Sequence, residues 1–200
     1  MELLGKTVVF LGSSVTLGTA SGEWSMCEYL AERCGCNVSK WAVSGTTLAD
    51  IKETSYVRRL LEHLPAQPRC DCFVCQLSTN DAAKQLPLGM ITERKDRFDR
   101  ETVFGAMEFI ISAVKENYGC PVFFYTGTRY ENTHYQKMVD GLRILADKWG
   151  IGIIDLWDDP QMNAVDEVDY ARYMHDPIHP NKVGYEQWWG PKFQEILEMA

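Results

Sequence analysis

Asp176 and His179 lie three residues apart near the end of the chain, in the segment Asp-Pro-Ile-His. An imidazole can accept a proton from a hydroxyl nucleophile, and a carboxylate beside it can fix the orientation of the ring. The spacing allows both side chains to lie on the same side of one turn, and Pro177 restricts that turn. The sequence therefore predicts a general base, His179, that is oriented by Asp176.

Ser13 and Ser14, in the segment Gly-Ser-Ser-Val, are the candidate nucleophiles. Taken alone, a serine at this point is best explained as the cap of a following helix. Together with Asp-x-x-His, the serine completes the set of groups that acyl transfer requires. The nucleophile is then a better interpretation than the helix cap. Ser13 remains the alternative to Ser14, because a shift of the loop could present its hydroxyl instead.

Five short apolar runs, rich in β-branched and aromatic residues, predict strands that are covered on both faces. They are Thr7–Leu11, Asn37–Val43, Cys72–Leu77, Pro121–Tyr125 and Gly152–Leu156. Each precedes a segment with helical periodicity, namely Glu23–Cys34, Ser55–His63, Glu101–Asn117, Thr133–Trp149 and Glu186–Met199. The alternation predicts an α/β fold, a flavodoxin-like three-layer α/β/α sandwich whose five-stranded parallel sheet has helices on both faces. No linker or repeat interrupts it, so we expect one domain over residues 1–200.

The loops after the strands carry the polar residues that could form a site. In open α/β sheets the ligand crevice lies at the carboxyl ends of the strands. The loops there read Gly-Ser-Ser-Val, Ser-Gly-Thr-Thr, Ser-Thr-Asn-Asp and Asp-Pro-Ile-His-Pro-Asn. Serine, glycine, asparagine, aspartate and histidine are therefore expected to converge at one edge of the sheet.

These four blocks, in this order over nearly the whole chain, resemble those of the SGNH hydrolases, also called GDSL-type esterases and lipases. The resemblance implies that Ser14 is the nucleophile, with Asp176 and His179 completing the triad. It also implies that the oxyanion binds to the backbone N–H groups of Ser14 and Gly45 and to the side-chain amide of Asn80. The implied reaction is ester hydrolysis through an acyl-enzyme, and it needs no metal or organic cofactor.

The sequence departs from the family pattern at two positions. Ser13 stands where the family has aspartate before the nucleophile, and Ser78 stands where it has glycine two residues before the block-three asparagine. Neither position supplies the nucleophile, the base or an oxyanion donor in the family. We therefore expect the reaction to survive both changes.

Composition limits the possible partners. The chain carries 20 Lys and Arg against 28 Asp and Glu, a net charge of −8, so nucleic acid and anionic membrane surfaces are disfavoured. No apolar stretch is long enough to span a membrane, and no signal peptide is visible, which favours a cytoplasmic location. The seven cysteines are expected to be reduced core thiols. Cys72 and Cys75 would point to opposite faces of a strand, which argues against a metal or redox site.

Several alternatives remain open at this point. The hydroxyl-rich loop after the first strand also resembles the phosphate loop of a flavodoxin, which would make the protein an electron carrier that binds flavin mononucleotide. A catalytically silent binding module would keep the same fold. Among enzymes, lysophospholipases, thioesterases and acyltransferases use the same residues. We favour a small ester with a short, acetyl-like acyl group, such as an acetylated saccharide.

Other segments carry weaker expectations. Two excursions, Lys84–Arg100 and Asp158–Arg172, follow strands and are expected to shape a substrate cleft. Trp157 and Tyr173 flank the second excursion and are candidates for substrate contact. Asp81 is expected to be a helix cap or a brace for its loop. Three aromatic residues near the end of the chain have the spacing of a buried helix stripe; they are Tyr185, Trp188 and Trp189.

Overall fold

A five-stranded parallel sheet forms the centre of the computed structural model, which describes residues 1–200. The strands are β1 (Thr7–Gly12), β2 (Asn37–Ala42), β3 (Cys72–Gln76), β4 (Val122–Tyr125) and β5 (Gly152–Ile154). Their spatial order is β2-β1-β3-β4-β5. This is the flavodoxin-like order that the alternation of strands and helices predicts. The order reverses between β1 and β3, and the crevice of such a sheet lies at that point.

The chain contains nine α-helices, six in the connections between the strands and three after β5. They are α1 (Ser14–Leu17), α2 (Met26–Cys34), α3 (Tyr56–His63), α4 (Thr79–Ala83), α5 (Val103–Tyr118), α6 (Thr133–Trp149), α7 (Glu167–Tyr173), α8 (Lys182–Gly184) and α9 (Gly190–Glu198). A π-helical turn, Tyr185–Trp189, joins the last two. None of these helices is both long and apolar enough to cross a membrane.

Two hydrophobic cores cover the two faces of the sheet. Because successive side chains of a strand point to opposite faces, β1 sends Val9 and Leu11 into one core and Val8 and Phe10 into the other. Helices α3, α5 and α6 cover the first core, whereas α2, the π-helical turn and α9 cover the second. The prediction of strands buried on both faces is confirmed for β1, β3 and β4, whereas most residues of the edge strands β2 and β5 are only partly buried.

Capping side chains set the ends of the helices. Helix α2 begins at Met26 rather than at the predicted Glu23, because Ser25 and Glu28 form a capping box that starts the helix there. Helix α5 likewise begins after Thr102, whose side chain accepts from Gly105 N–H. The prediction for α6 agrees with the structure at both ends.

Four helices were not predicted. Helices α1, α4 and α8 have three to five residues, which is too short to show a period of 3.6. The second excursion contains α7, which Asp166 caps. The final helical segment starts before the predicted Glu186, at Lys182.

The first excursion, residues 84–100, contains no helix or strand and lies over the core that α5 and α6 form, with Leu86, Leu88 and Ile91 packed against it. All seven cysteines are free, and Cys72 and Cys75 are buried within β3.

Candidate active site

Ser14 is the first residue of α1, directly after the carboxyl end of β1. The turn is fixed from β3, where Gln76 Oε1 accepts Ser13 N–H at 2.9 Å and the Thr16 hydroxyl at 2.9 Å. It is also fixed from the carboxyl-terminal segment, because Tyr185 OH donates to Val15 O at 2.7 Å. The Ser14 side chain is therefore held at the point where the strand order reverses.

The loop between α7 and α8 carries Asp176 and His179. Its two ends pair as an antiparallel bridge between Met174 and Pro180, and His175 N–H donates to His179 O at 2.9 Å. This closes residues 175–179 into a tight loop, at whose end Asn181 caps α8. The loop projects toward α1.

Ser14, His179 and Asp176 form a continuous hydrogen-bonded chain. Ser14 Oγ lies 2.8 Å from His179 Nε2, and His179 Nδ1 lies 2.8 Å from Asp176 Oδ2. The Asp-x-x-His spacing predicts only that both side chains lie on one side of a turn, and the geometry of this loop brings them into contact. With the proton on Nδ1, the imidazole can accept the Ser14 proton at Nε2.

The surroundings of Asp176 keep its carboxyl ionised. Its Oδ1 accepts the backbone N–H groups of Ile178 and His179, both at 2.8 Å. Burial is the largest single influence and opposes ionisation. The hydrogen bonds from Ile178 and His179 together outweigh it, and they hold the pKa of Asp176 below its ordinary value.

The structure brings Ser14 to the imidazole and keeps Ser13 away from it. Ser13 is fully buried, and its Oγ accepts from Asn80 Nδ2 at 3.2 Å. Ser14 Oγ has the imidazole of His179 as its partner. The geometry favours Ser14 over Ser13 as the hydroxyl that can be activated.

Gly45 and Asn80 lie beside this turn, in the loops that follow β2 and β3. Gly45 has a φ of +77°, a conformation that glycine adopts without strain, and its N–H donates to no acceptor within the protein. Asn80 Nδ2 donates to Thr46 O at 2.9 Å as well as to Ser13 Oγ. The predicted oxyanion residues therefore occupy adjacent loops around Ser14.

Asp81 braces the loop that carries Gly45. It is fully buried, and its two oxygens accept Leu48 N–H at 2.8 Å and Ala49 N–H at 3.0 Å. Burial is the main cause that raises the pKa of Asp81, although its hydrogen bonds oppose the shift. The carboxylate has the structural role that we expected, and it is not directed at His179.

Two buried polar residues that hold the site were not predicted. Gln76 anchors the nucleophile turn, and Arg59 donates to Gly12 O at 2.8 Å. The signal for Gln76 is an amide inside an otherwise apolar strand. The signal for Arg59 is its place in the helix pattern. Tyr56, Arg59 and Leu60 are at positions i, i+3 and i+4, which lie on one face of a helix, so the arginine shares the face of two large apolar residues.

A small pocket of about 10 Å³, room for about one water molecule, lies beside Val15 and Ile178, the chain neighbours of Ser14 and His179. The chain segments that carry the candidate catalytic residues contribute part of its wall, and large aromatic rings contribute much of the rest. Its lining includes Val15, Thr79, Gly127, Thr128, Tyr130, Tyr135, Pro177, Ile178 and Trp189.

Neither of the two aromatic residues expected to contact substrate lines this pocket. Trp157 is 3% exposed and donates to Gln136 Oε1 at 2.7 Å, so it is a core residue. Tyr173 stacks on Trp188, with ring centroids 5.5 Å apart, and lines a separate groove. Of the excursions, the first reaches the site through Lys84, whose Nζ donates to Gly45 O at 3.3 Å.

The sequence matches the GDSL-like lipase/acylhydrolase family over residues 10–187. The chain belongs to this family. It is accordingly a hydrolase, and this membership argues against the alternative of a flavin-binding electron carrier. No curated protein matches the sequence significantly.

Solved structures share the fold of this GDSL-family hydrolase at low sequence identity. A protein from Lactobacillus plantarum is similar with a TM-score of 0.79 and 18% identity, over 98% of each chain. A family two carbohydrate esterase from Clostridium thermocellum, solved in complex with cellohexaose, is similar with a TM-score of 0.68 and 16% identity, over 98% of this chain and 64% of the other. An acetyl xylan esterase is similar with a TM-score of 0.64 and 15% identity, over 96% and 99% of the two chains.

Proposed function

We propose that this GDSL-family hydrolase is a serine esterase that forms an acyl-enzyme on Ser14. The observation that carries the proposal is the chain of hydrogen bonds from Ser14 Oγ through His179 to Asp176, with distances of 2.8 Å at both steps. A hydroxyl, an imidazole and an ionised carboxylate in this order are the groups that activate a serine.

In the proposed reaction, Ser14 Oγ attacks the ester carbonyl carbon while its proton passes to His179 Nε2. The tetrahedral intermediate collapses, and His179 gives that proton to the leaving alcohol. Water then attacks the carbonyl carbon of the acyl-enzyme while His179 accepts a proton from it. The bond between that carbon and Ser14 Oγ breaks, His179 returns the proton to Oγ, and the acid is released. Asp176 remains ionised and stabilises the imidazolium in both halves of the reaction.

The negative charge on the carbonyl oxygen would be bound by the backbone N–H groups of Ser14 and Gly45 and by Asn80 Nδ2. The free N–H of Gly45 supports this assignment. For Asn80, the bond to Ser13 Oγ is longer, at 3.2 Å, than the bond to Thr46 O, at 2.9 Å. We infer that the oxyanion replaces Ser13 Oγ as an acceptor, because a charged oxygen is the stronger partner.

We further propose that the acyl group is short, with acetyl the best fit, and that the alcohol is a saccharide. The small pocket beside Ser14 supports a short acyl group, because Tyr130, Tyr135 and Trp189 occupy the space that a long chain would need. The similar structures include a carbohydrate esterase and an acetyl xylan esterase, which supports an acetylated sugar.

A panel of p-nitrophenyl esters from acetate to palmitate tests the acyl preference. We expect kcat/KM to be highest for acetate, because each further methylene must fit a small pocket lined by Tyr130, Tyr135 and Trp189. Higher kcat/KM for palmitate than for acetate would contradict the short-acyl proposal and favour a lysophospholipase.

Release of acetate from acetylated xylo- or cello-oligosaccharides tests the leaving group. We expect acetate to be released in proportion to enzyme, and Ser14→Ala to release none. Two alternatives remain as outcomes. Faster turnover of acetyl thioesters would indicate a thioesterase. Transfer of acetate to an added sugar in preference to water would indicate an acyltransferase.

A further inference from the structure

A buried arginine lies behind the turn that carries Ser14. Arg59, in α3, is 5% exposed and pairs with no carboxylate, whereas its neighbour Arg58 is on the surface with its Nε 2.9 Å from Asp50. Burying a cation without an anionic partner costs stability. Burial lowers the pKa of Arg59, and its Nε has no hydrogen-bond partner in the protein. Core packing alone therefore does not explain this side chain.

One nitrogen of Arg59 connects two loops of the candidate site. Its Nη2 donates to Gly12 O at 2.8 Å, just before the nucleophile turn, and to Thr46 Oγ1 at 3.1 Å, just after Gly45. The loops follow two neighbouring strands, β1 and β2. The guanidinium therefore sets the distance between the backbone segments that carry Ser14 and Gly45.

The nucleophile side of this connection is rigid. The peptide group between Gly12 and Ser13 donates its N–H to Gln76 Oε1 at 2.9 Å, while its carbonyl oxygen accepts from Arg59. Both polar ends of the peptide are thus occupied, and its plane cannot rotate without breaking a hydrogen bond. The next peptide carries the N–H of Ser14, and its carbonyl oxygen, Ser13 O, accepts Leu17 N–H at 2.8 Å, so its direction is fixed as well.

The other side of the connection extends to Asn80. Thr46 Oγ1 accepts from Arg59 and donates to Val43 O at 2.7 Å, while Thr46 O accepts Asn80 Nδ2 at 2.9 Å. One threonine therefore links the guanidinium both to the loop of Gly45 and to the side chain of Asn80.

We propose that Arg59 is a positioning residue for the oxyanion hole. It holds the N–H groups of Ser14 and Gly45 in a fixed relative position, and its uncompensated positive charge favours negative charge on the reacting carbonyl oxygen. This inference rests on the proposed function of Ser14. Donors that are fixed before the reaction and charges in a region shielded from water both act mainly on the transition state.

The experiment compares Arg59→Lys with Arg58→Lys, which makes the same change at the exposed neighbour. Thr46→Val removes one acceptor of Arg59, Thr46 Oγ1, while the guanidinium and its hydrogen bonds to Gly12 O and Thr54 O remain, and Thr46→Ser keeps the hydroxyl. For each protein, kcat and KM for p-nitrophenyl acetate are measured, together with the thermal unfolding midpoint. The affinity for phenylboronic acid is also measured, because this inhibitor forms an anionic tetrahedral adduct when Ser14 Oγ adds to boron.

We expect Arg59→Lys to lower kcat by about 10- to 100-fold with KM changed less than about threefold, because the interaction acts in the transition state. Affinity for phenylboronic acid should fall by a similar factor, whereas Arg58→Lys should behave as the wild type. Thr46→Ser should retain more activity than Thr46→Val. If Arg59→Lys does not fold, the two Thr46 variants decide the question by the same measures.

The proposal for Arg59 is overturned if folded Arg59→Lys and Thr46→Val both keep kcat and boronic acid affinity within about threefold of the wild type. It is also overturned if only KM or the unfolding midpoint changes. A wild-type protein that hydrolyses no ester and forms no adduct would contradict the proposed function itself, and this inference with it.

Discussion

Replacing Asp176 by asparagine should disable His179 as a base while leaving the loop in place. The Oδ1 position of Asp176 accepts two backbone N–H groups, from Ile178 and His179, both at 2.8 Å. An asparagine would keep its oxygen there and turn its NH2 group toward His179 Nδ1. That nitrogen would then have to accept a hydrogen bond, so the proton would move to Nε2, which could no longer accept the proton of Ser14.

The active tautomer could be restored only if the amide turned over. Turning it would leave the half-buried N–H groups of Ile178 and His179 facing an NH2 group. An unsatisfied buried donor costs about 1–3 kcal/mol, and partial exposure to water reduces that cost. A total of about 2–4 kcal/mol corresponds to about a 30- to 10³-fold loss of rate. Loss of the charge that stabilises the imidazolium adds to this, and the same substitution in a Ser-His-Asp triad costs about 10⁴-fold. We therefore expect kcat for Asp176→Asn to fall by about 10³- to 10⁴-fold.

The assay is steady-state hydrolysis of p-nitrophenyl acetate, with Glu167→Gln as the matched control. Glu167 is exposed in the first turn of α7, and its replacement by glutamine removes one negative charge from the same region of the protein. We expect normal kinetics for the control. For Asp176→Asn we expect a KM within about threefold of the wild type, because the change acts on the chemical step. If Asp176→Asn kept more than about a tenth of the wild-type kcat, the tautomer reasoning would be refuted.

Three further outcomes follow from the site. Gly45→Ala should lose about 1 kcal/mol of stability, because alanine is strained at a φ of +77°. The added Cβ meets no atom within 4 Å, so no steric clash adds to this cost. We expect a lower thermal midpoint and a kcat reduced about tenfold, and an unchanged midpoint would contradict this. Tyr130→Ala should enlarge the acyl pocket and raise kcat/KM for butyrate relative to acetate by about tenfold, and an unchanged ratio would remove Tyr130 from that pocket. Asp81→Asn should cost about 1–3 kcal/mol in urea unfolding at pH 7, because one oxygen cannot serve both Leu48 and Ala49. Burial raises the pKa of Asp81 in the folded protein above its ordinary 3.8. The difference in unfolding free energy between the wild type and Asp81→Asn should therefore be larger at low pH and should decline as pH rises through the folded pKa. A difference that grows with pH would contradict the raised pKa.

The sequence predicts the architecture well, because it depends on local periodicity. The five strands are recognisable from apolar runs such as that of β3, and both ends of α6 agree with the prediction. Helix α1 was not predicted as a helix, because four residues contain no period. At Ser14 the sequence predicts a helix cap or a nucleophile, and the helix that starts there has no signal of its own.

The candidate triad is predictable for a related reason. Asp176 and His179 are three residues apart, so their spacing predicts that both side chains lie on one side of a turn. The direct contact between them depends on the local geometry of the loop and is shown by the structure. The partner Ser14 is 165 residues away from His179, and it is found through the order of the motifs.

The supporting contacts of the site are not predictable in this way. Gln76 and Arg59 act through hydrogen bonds to residues 63 and 47 positions away along the chain, and no periodicity reports such pairings. Trp157 shows the opposite error. Its place beside an excursion suggested substrate contact, but its indole packs with Tyr130 and Tyr135 in the core.

The most direct test of the central claim is covalent labelling of the protein with a fluorophosphonate probe, followed by mass-spectrometric mapping of the modified peptide. The Ser14 hydroxyl should add to phosphorus with loss of fluoride, because His179 lies 2.8 Å from Ser14 Oγ and can take its proton. We expect one adduct, at Ser14, in the wild type, and none in Ser14→Ala or His179→Ala. Labelling at Ser13 in the wild type, or no adduct on a folded wild-type protein, would contradict the assignment of Ser14 as the nucleophile.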